Sequence, residues 1–111
     1  MSVDTIVKTR SEPKVGRRDS VRVIPPYHVI LLNDDDHTYE YVIRMLAELF
    51  GHGQEKAFLM AKEVDNSGRV IVDTTTKERA ELKRDQIHAF GADPLLARSQ
   101  GSMSATIEPA E

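Results

Sequence analysis

Three consecutive carboxylates in this sequence have the chemistry to bind a cation. They are Asp34, Asp35 and Asp36, flanked by Asn33 and His37. Like charges this close repel one another unless a cation lies between them. That cation is a metal ion, a Lys or Arg side chain, or the α-ammonium group of another chain. The competing interpretation is structural, because an Asx residue that caps a following helix in a solvated turn accounts for part of the cluster without any ligand.

The residues around this cluster match neither a metal-binding loop nor a catalytic motif. A calcium loop needs alternating ligands, a central glycine and a distal bidentate glutamate, and this segment supplies none of them. The chain has no cysteine, and its four histidines form no His-x-His or His-x-x-x-His pair, so no zinc site is indicated. We expect no metal, no cofactor and no catalytic residue. An acid–base or metal-dependent enzyme using Asp34–His37 is a remote alternative, because no nucleophile elbow or phosphate loop accompanies the cluster.

Length and charge restrict the function classes further. A chain of 111 residues, 40% of them hydrophobic, has room for one modest core and a surface groove rather than a large cofactor cavity. Its formal charge of −3, from 15 basic and 18 acidic residues, argues against nucleic-acid binding. No apolar run reaches the roughly 18 residues of a membrane span, and the N-terminus lacks the apolar centre of a secretion signal. We therefore expect a cytoplasmic protein.

The acidic cluster lies between a predicted strand and a predicted helix. Tyr27–Leu32 is a mostly apolar run that stops at Asn33, which is typical of a buried strand entering a polar turn. From Tyr39 to Phe50, apolar residues recur at offsets 0, 3, 4, 7, 10 and 11, which predicts an amphipathic helix. The cluster is therefore expected at the end of the strand, facing the start of the helix.

Four more elements complete the predicted fold. They are a helix from Gln54 to about Asp65, a strand at Arg69–Thr74, a helix from a capping box at Thr75–Glu78 to about Phe90, and a strand at Leu95–Ala97. The order β-α-α-β-α-β predicts an α+β domain, in which a small three-stranded antiparallel sheet packs against three helices.

The chain divides into three predicted regions. Residues 1–24 mix charges, proline and hydroxyl residues without periodicity, which predicts a flexible, disordered tail. Pro25-Pro26 ends this tail, because two fixed φ angles and two missing donors form a stiff boundary. Residues 25–97 are predicted as the core domain and residues 98–111 as a C-terminal extension.

Several of these segments together resemble the ClpS family of Clp protease adaptors. The resemblance covers roughly residues 25–97 and is carried by YHVILLNDD at Tyr27–Asp35, Glu40–Val42, Gly68 before a strand, Glu78–Lys83 and Pro94–Leu96. It implies an adaptor rather than an enzyme. Such an adaptor binds substrate proteins with a bulky apolar N-terminal residue and delivers them to a ClpA-type AAA+ unfoldase of the ClpAP protease. The main alternative is a ClpS-like protein-binding module whose specificity for N-terminal residues is altered or lost.

The resemblance also implies roles for individual positions. Asn33 and Asp34 would hydrogen-bond the α-ammonium group of the substrate, and Asp65 stands where the family has a histidine that helps to hold it. Glu78 and Lys83 match the contact surface for the unfoldase, although exposed charges on a helix are also commonplace. The side-chain pocket is implied at Tyr39, Val42, Ala61, Val64 and Leu95, although apolar residues at such spacing are by default core.

Three positions depart from the family pattern. Asp65 replaces the histidine, which predicts stronger salt and pH dependence, because two carboxylates then face one site. Ala61 replaces a gatekeeper methionine, which widens the pocket and predicts that Ile or Val can enter. Tyr39 replaces another methionine and is expected to refill part of that space. The segment Gly91–Asp93 is also shorter than usual before Pro-Leu-Leu.

Overall fold

The computed structural model describes residues 24–96 and 98–110, which form six elements in the predicted order β-α-α-β-α-β. They are β1 (Tyr27–Leu32), α1 (Tyr39–Phe50), α2 (Gln54–Ser67), β2 (Arg69–Thr75), α3 (Lys77–His88) and β3 (Ser104–Pro109). The predicted α+β fold, with three helices and a three-stranded antiparallel sheet, is confirmed. The predicted tail lies outside the described residues, except for Ile24. No helix within the described ranges is long and apolar enough to cross a membrane.

The central strand of the sheet is β1, which pairs antiparallel with β2 on one side and β3 on the other. This position explains why its middle residues, Val29 to Leu31, are fully buried. The end of β1 is therefore held by strand pairing on both sides, and the acidic cluster begins directly after it.

The predicted third strand at Leu95–Ala97 is wrong. Pro94 and Leu95 form a turn, because Pro94 lacks a backbone donor for a ladder and the Asp93 carboxylate accepts the Leu95 N–H at 2.8 Å. The strand is instead Ser104–Pro109, which pairs with the whole of β1 and directs Ala105 and Ile107 toward the core. The sheet thus extends past residue 97, into the segment predicted as a C-terminal extension.

The helix starts differ in detail from the expectation. The cap of α1 is Thr38, whose hydroxyl accepts the Tyr41 N–H at 3.1 Å, and not an Asx residue. The cap of α3 is Thr76, which accepts from Arg79 N at 3.2 Å, and not Thr75. Because a hydroxyl caps α1, the carboxylates of the acidic cluster are not used as helix caps. They take part instead in the turn between β1 and α1, where the Asp34 carboxylate accepts the backbone N–H of Asp36.

One face of the sheet carries the core, and the three helices cover it. Apolar side chains of β1, β2 and β3 meet those of α1, α2 and α3 in a single cluster. In α1 the buried side chains are Tyr41, Val42, Met45 and Leu46. Only Val42 and Leu46 belong to the stripe that the periodicity predicts, and the other members of that stripe are partly buried at its edge. This packing holds the start of α1 and the end of α2 beside the end of β1.

Candidate functional site

The ends of three elements meet at one corner of the domain. The backbone N–H of Asn33, directly after β1, donates to the carbonyl oxygen of Gly68, the C-cap of α2, at 3.1 Å. Asp65 lies in the last turn of α2, and its carboxylate accepts the hydroxyl of Tyr39, the first residue of α1, at 2.9 Å. These contacts place Asn33, Asp34 and Asp65 around the same junction, which we call the acidic corner.

Asp34 is held rigidly through one oxygen of its carboxylate. Its Oδ1 accepts the backbone N–H of Asp36 at 3.0 Å and lies 2.8 Å from Nδ1 of His37. The His37 side chain is only 3% exposed, whereas that of Asp34 is 30% exposed. Within residues 24–96 and 98–110, no group donates a hydrogen bond to Oδ2 of Asp34. One oxygen therefore fixes the carboxylate, and the other is available to an incoming donor.

Asn33 is oriented in a similar way. Its Nδ2 donates to Oδ1 of Asp35 at 3.2 Å, and the chain reverses at Asp35, which has a left-handed φ of 64°. An asparagine whose NH₂ group is engaged presents its amide oxygen as the remaining acceptor. The corner thus offers acceptors from two adjacent residues at the end of a buried strand.

The remaining carboxylate of the cluster already has a cation. Arg98 donates from Nε to Oδ1 of Asp36 at 3.1 Å and from Nη2 to the carbonyl oxygen of Asp35 at 2.7 Å. Nearby, Nε2 of His37 lies 2.7 Å from the carbonyl oxygen of Gly101. The segment after residue 97 is therefore attached to the acidic cluster. The partner of Asp36 is a cation, whereas the partner of Asp65 is the neutral hydroxyl of Tyr39.

The end of α2 adds to the negative potential of the corner. The C-terminus of a helix carries a partial negative charge, which basic side chains normally complement, but the last turn of α2 contains no basic residue and does contain Asp65. In the part of the chain that the structure describes, no group of three or more His, Cys, Asp or Glu side chains is arranged to hold a metal ion. The corner therefore suits a cation that brings its own hydrogen-bond donors, such as an ammonium group.

Four of the five residues implied for the side-chain pocket belong to the hydrophobic core or pack against it. Val42, Ala61 and Val64 are buried in the core cluster, and Tyr39 packs against that cluster while remaining partly exposed. Ala61 is only 1% exposed, so these residues do not line an open cavity. Leu95 is 61% exposed and lies outside the cluster. Its role in a pocket stays a prediction.

The bond between Tyr39 and Asp65 gives a directly measurable signature. The pKa of Tyr39 is raised, first because its hydroxyl donates to Asp65, and further by burial and by the charge of that carboxylate. We expect Asp65→Asn to bring this pKa back toward its ordinary value, because ionising the phenol then no longer places two anions side by side. Ultraviolet titration of the tyrosines measures this change. The Tyr39→Phe variant identifies the signal, and a titration curve that is identical in the Asp65→Asn variant would contradict the bond.

The sequence suggested that Lys83 lies on an exposed helix face, but in the structure it is half-buried. Its Nζ donates to the carbonyl oxygen of Leu49 in the last turn of α1 and stands 5.4 Å from the centre of the Phe50 ring. A cation at that position complements the negative end of α1. Lys83 therefore joins α3 to α1, whereas Glu78 is exposed at the start of α3.

A groove beside Glu78 lies away from the acidic corner. It is a groove of about 370 Å³ between Ile24–Pro26 and the start of α3 at Thr76–Glu78. It adjoins Glu78, one of the two residues implied for unfoldase contact, and the point at which the chain enters the described fold. None of the residues of the acidic corner lines it.

One important residue was not singled out from the sequence. Asp93 is 2% exposed, its Oδ2 accepts the backbone N–H of Thr38 at 2.5 Å, and its Oδ1 accepts that of Leu95. Burial raises the pKa of Asp93, but hydrogen bonds from Thr38 and Leu95, with the nearby His37, outweigh that effect and lower it. Asp93 thus stays ionised and ties the loop to the start of α1. The only signal was an aspartate before a proline, which indicates a turn and not burial.

Comparisons with known proteins agree on one family. A family model described as ATP-dependent Clp protease adaptor protein ClpS matches residues 23–97. An ATP-dependent Clp protease adapter protein ClpS from Desulforapulum autotrophicum is 34% identical over 103 residues, which cover 92% of this chain and 91% of that relative. Another from Roseobacter denitrificans is 32% identical over 108 residues, which cover 97% of this chain and 86% of the relative.

A solved structure has the same fold. The structure of Agrobacterium tumefaciens ClpS2 bound to L-phenylalaninamide matches with a TM-score of 0.68 and covers 79% of this chain and 100% of that one. The two sequences are 23% identical, so the similarity establishes a shared fold and not a shared set of contacts.

Proposed function

We propose, since this chain belongs to the ClpS family of ATP-dependent Clp protease adaptors, that it binds substrate proteins by a bulky apolar N-terminal residue and delivers them to a ClpA-type AAA+ unfoldase of the ClpAP protease. The observation that carries this proposal is the acidic corner. Among the residues that the structure describes, one carboxylate oxygen of Asp34 has no hydrogen-bond partner there, beside Asn33 and Asp65 and next to an apolar cluster.

The α-ammonium group of a protein fits this corner chemically. It carries a positive charge and three donors, and the corner supplies acceptors on Asn33, Asp34 and Asp65. Hydrogen bonds of this charge-assisted type contribute about 1.5–3 kcal/mol each. A lysine ammonium carries the same charge, but only an N-terminus places an apolar side chain one carbon away from it. The adjacent cluster of Val42, Ala61 and Val64 would receive that side chain.

The two kinds of contact together suffice for useful affinity. Burying a Leu or Phe side chain contributes about 1.5–3 kcal/mol, and association itself costs at least about 4 kcal/mol. Three amine bonds and one buried side chain reach the roughly 8 kcal/mol of a micromolar complex at the upper end of these ranges, with the association cost at its minimum. The ligand of the related ClpS2 structure, L-phenylalaninamide, combines the same two groups, a free α-amine and an apolar side chain.

Delivery would use other parts of the chain. By resemblance, Glu78 and Lys83 face the unfoldase and the segment 1–24 engages its pore. Exposed Glu78 beside the groove is consistent with a contact surface, whereas Lys83 is engaged with α1, so we expect Glu78 to contribute the direct contact. The proposal needs no catalysis by this chain and places it in the cytoplasm with the protease.

Degradation of a reporter protein tests the complete proposal. A fluorescent protein that begins with Phe is expected to be degraded several-fold faster by a reconstituted ClpAP protease when the chain is present. The same reporter beginning with Ser should gain nothing. The Glu78→Ala variant is expected to bind the reporter normally and to deliver it more slowly. Equal acceleration of both reporters would count against recognition of the first residue.

The alternative that a specific observation favours is a module with altered specificity. Ala61 and Val42 are covered and not open to solvent, so a side chain enters only if something moves.

A further inference from the structure

Three residues mark one face of α2. Ala61 follows Phe58 by three residues and Asp65 follows Ala61 by four, which places all three on the same side of a helix. At 1.5 Å per residue, Phe58 and Asp65 are about 10 Å apart along the axis. Ala61 lies between them.

Tyr39 reaches both ends of this face. The centre of its ring is 5.8 Å from that of Phe58, and its hydroxyl donates to Oδ2 of Asp65 at 2.9 Å. Because these two residues flank Ala61 along the helix and Tyr39 packs against the core cluster that contains Ala61, we infer that the ring lies along α2, across Ala61. The small methyl group of Ala61 leaves the space that the ring occupies.

This arrangement explains how the cluster is closed. Phe58 is 43% exposed, so the helix lies at the surface here, and yet Ala61 is almost completely covered. Tyr39 is packed against the cluster that contains Val42, Ala61 and Val64. Tyr39 is partly exposed and packs against this cluster, so its ring is the group that we infer to close the cluster on the side of the acidic corner.

We propose that Tyr39 is the gate of the side-chain pocket and that Asp65 is its latch, an inference that rests on the proposed function. With no ligand bound, the phenol donates to Asp65 and the ring covers Ala61. When a free N-terminus arrives, its α-ammonium group takes the place of the phenol on Asp65. The charged donor is preferred because charge-assisted bonds of this kind are stronger than those of a neutral hydroxyl. The ring then swings away, and the first side chain packs over Ala61.

The latch couples the two halves of recognition. An apolar side chain in the middle of a peptide has no α-amine to release Tyr39, so the pocket stays closed to it. A ligand shifts such an equilibrium only by its differential affinity for the two states, and here the amine supplies that difference. The gate therefore makes the chain selective for apolar residues at a free N-terminus and excludes the same residues elsewhere.

Removing the phenolic hydroxyl tests the gate. Tyr39→Phe keeps the ring but abolishes the bond to Asp65, so the open state becomes more populated and apparent affinity increases accordingly. We expect this variant to bind a fluorescein-labelled peptide that begins with Phe about fivefold more tightly than the wild-type chain does. In an Asp65→Ala background, where no latch exists, Tyr39→Phe should leave affinity unchanged.

The four proteins form a double-mutant cycle, and its outcomes separate the gate from the proposed function. Fluorescence anisotropy with the Phe peptide and its N-acetylated form gives all of the affinities. The gate is supported if Tyr39→Phe binds the Phe peptide more tightly in the wild-type background and has no effect in the Asp65→Ala background. Unchanged or weaker binding by that variant, or an equal gain in the Asp65→Ala background, overturns it while leaving N-terminal recognition intact. Absence of amine-dependent binding in all four proteins overturns the proposed function and the gate with it.

Discussion

Asp34→Asn is expected to weaken the binding of peptides with a free, apolar N-terminal residue about 10- to 100-fold. The substitution keeps the size of the side chain but removes the negative charge that faces the α-ammonium group. A charge-assisted hydrogen bond is worth about 1.5–3 kcal/mol, and each 1.4 kcal/mol corresponds to a tenfold change in affinity. Fluorescence anisotropy with a labelled peptide that begins with Leu measures the effect.

Asp36→Asn is the matched control for this variant, because it changes the net charge equally, only two residues away. Asp36 is paired with Arg98, and an exposed pair of this kind contributes about 0–1 kcal/mol. Its loss should therefore change peptide affinity by less than about threefold. If the two variants lose affinity equally, the corner acts through its overall charge, and the specific role of Asp34 is wrong.

The second large effect concerns stability. We expect Asp93→Ala to lower the free energy of unfolding by about 2–4 kcal/mol, because it leaves the N–H groups of Thr38 and Leu95 without their buried acceptor. Denaturant unfolding measures this loss. Asp85→Ala is the control, since Asp85 is exposed and paired only with its neighbour Arg84, and its replacement should cost less than about 0.5 kcal/mol.

The contribution of Asp93 also depends on pH. The native-state pKa of Asp93 is lowered, whereas the unfolded chain has the ordinary value of about 3.9. The stabilisation is therefore complete at pH values above that unfolded value and is lost as the pH falls through the native-state pKa. Asp93→Asn should remove this part of the acid destabilisation. A variant that retains the full stability and acid sensitivity of the wild-type chain would contradict the role assigned to Asp93.

The element order and the position of the acidic cluster between a strand and a helix were predictable because local signals carry them. Tyr27–Leu32 is apolar up to the residue at which the strand ends, and the stripe that begins at Tyr39 has a clear helical period. The acidic cluster between them had to lie where strand and helix meet. The family resemblance then supplied the α-ammonium group as the cation that this position would bind.

The parts that were missed depend on contacts between distant residues. The strand Ser104–Pro109 has only Ala105 and Ile107 as inward apolar residues, too weak a pattern to outweigh the apolar pair before Ala97. Lys83 contacts Leu49, which is 34 residues away in sequence at the end of α1. Asp93 contacts Thr38, which is 55 residues away at the start of that helix. Neither composition nor periodicity reports such pairs.

The contact between Tyr39 and Asp65 illustrates the same limit at the candidate site. Their types suggested a refilled pocket and a second carboxylate, and each residue was assigned its own role. The hydrogen bond that joins them across Ala61 links those roles. The two departures from the family pattern, Tyr39 and Asp65, are therefore in contact with each other.

The most direct test of recognition at the N-terminus compares two peptides that differ only by an acetyl group. A labelled peptide that begins with Phe is titrated against the full chain by anisotropy, beside the same peptide with its α-amine acetylated. Acetylation removes the charge and two of the three donors while leaving the apolar side chain in place. We predict micromolar binding of the free peptide and at least a 100-fold loss on acetylation. Equal affinity for both peptides would contradict the proposal that the acidic corner reads a free N-terminus.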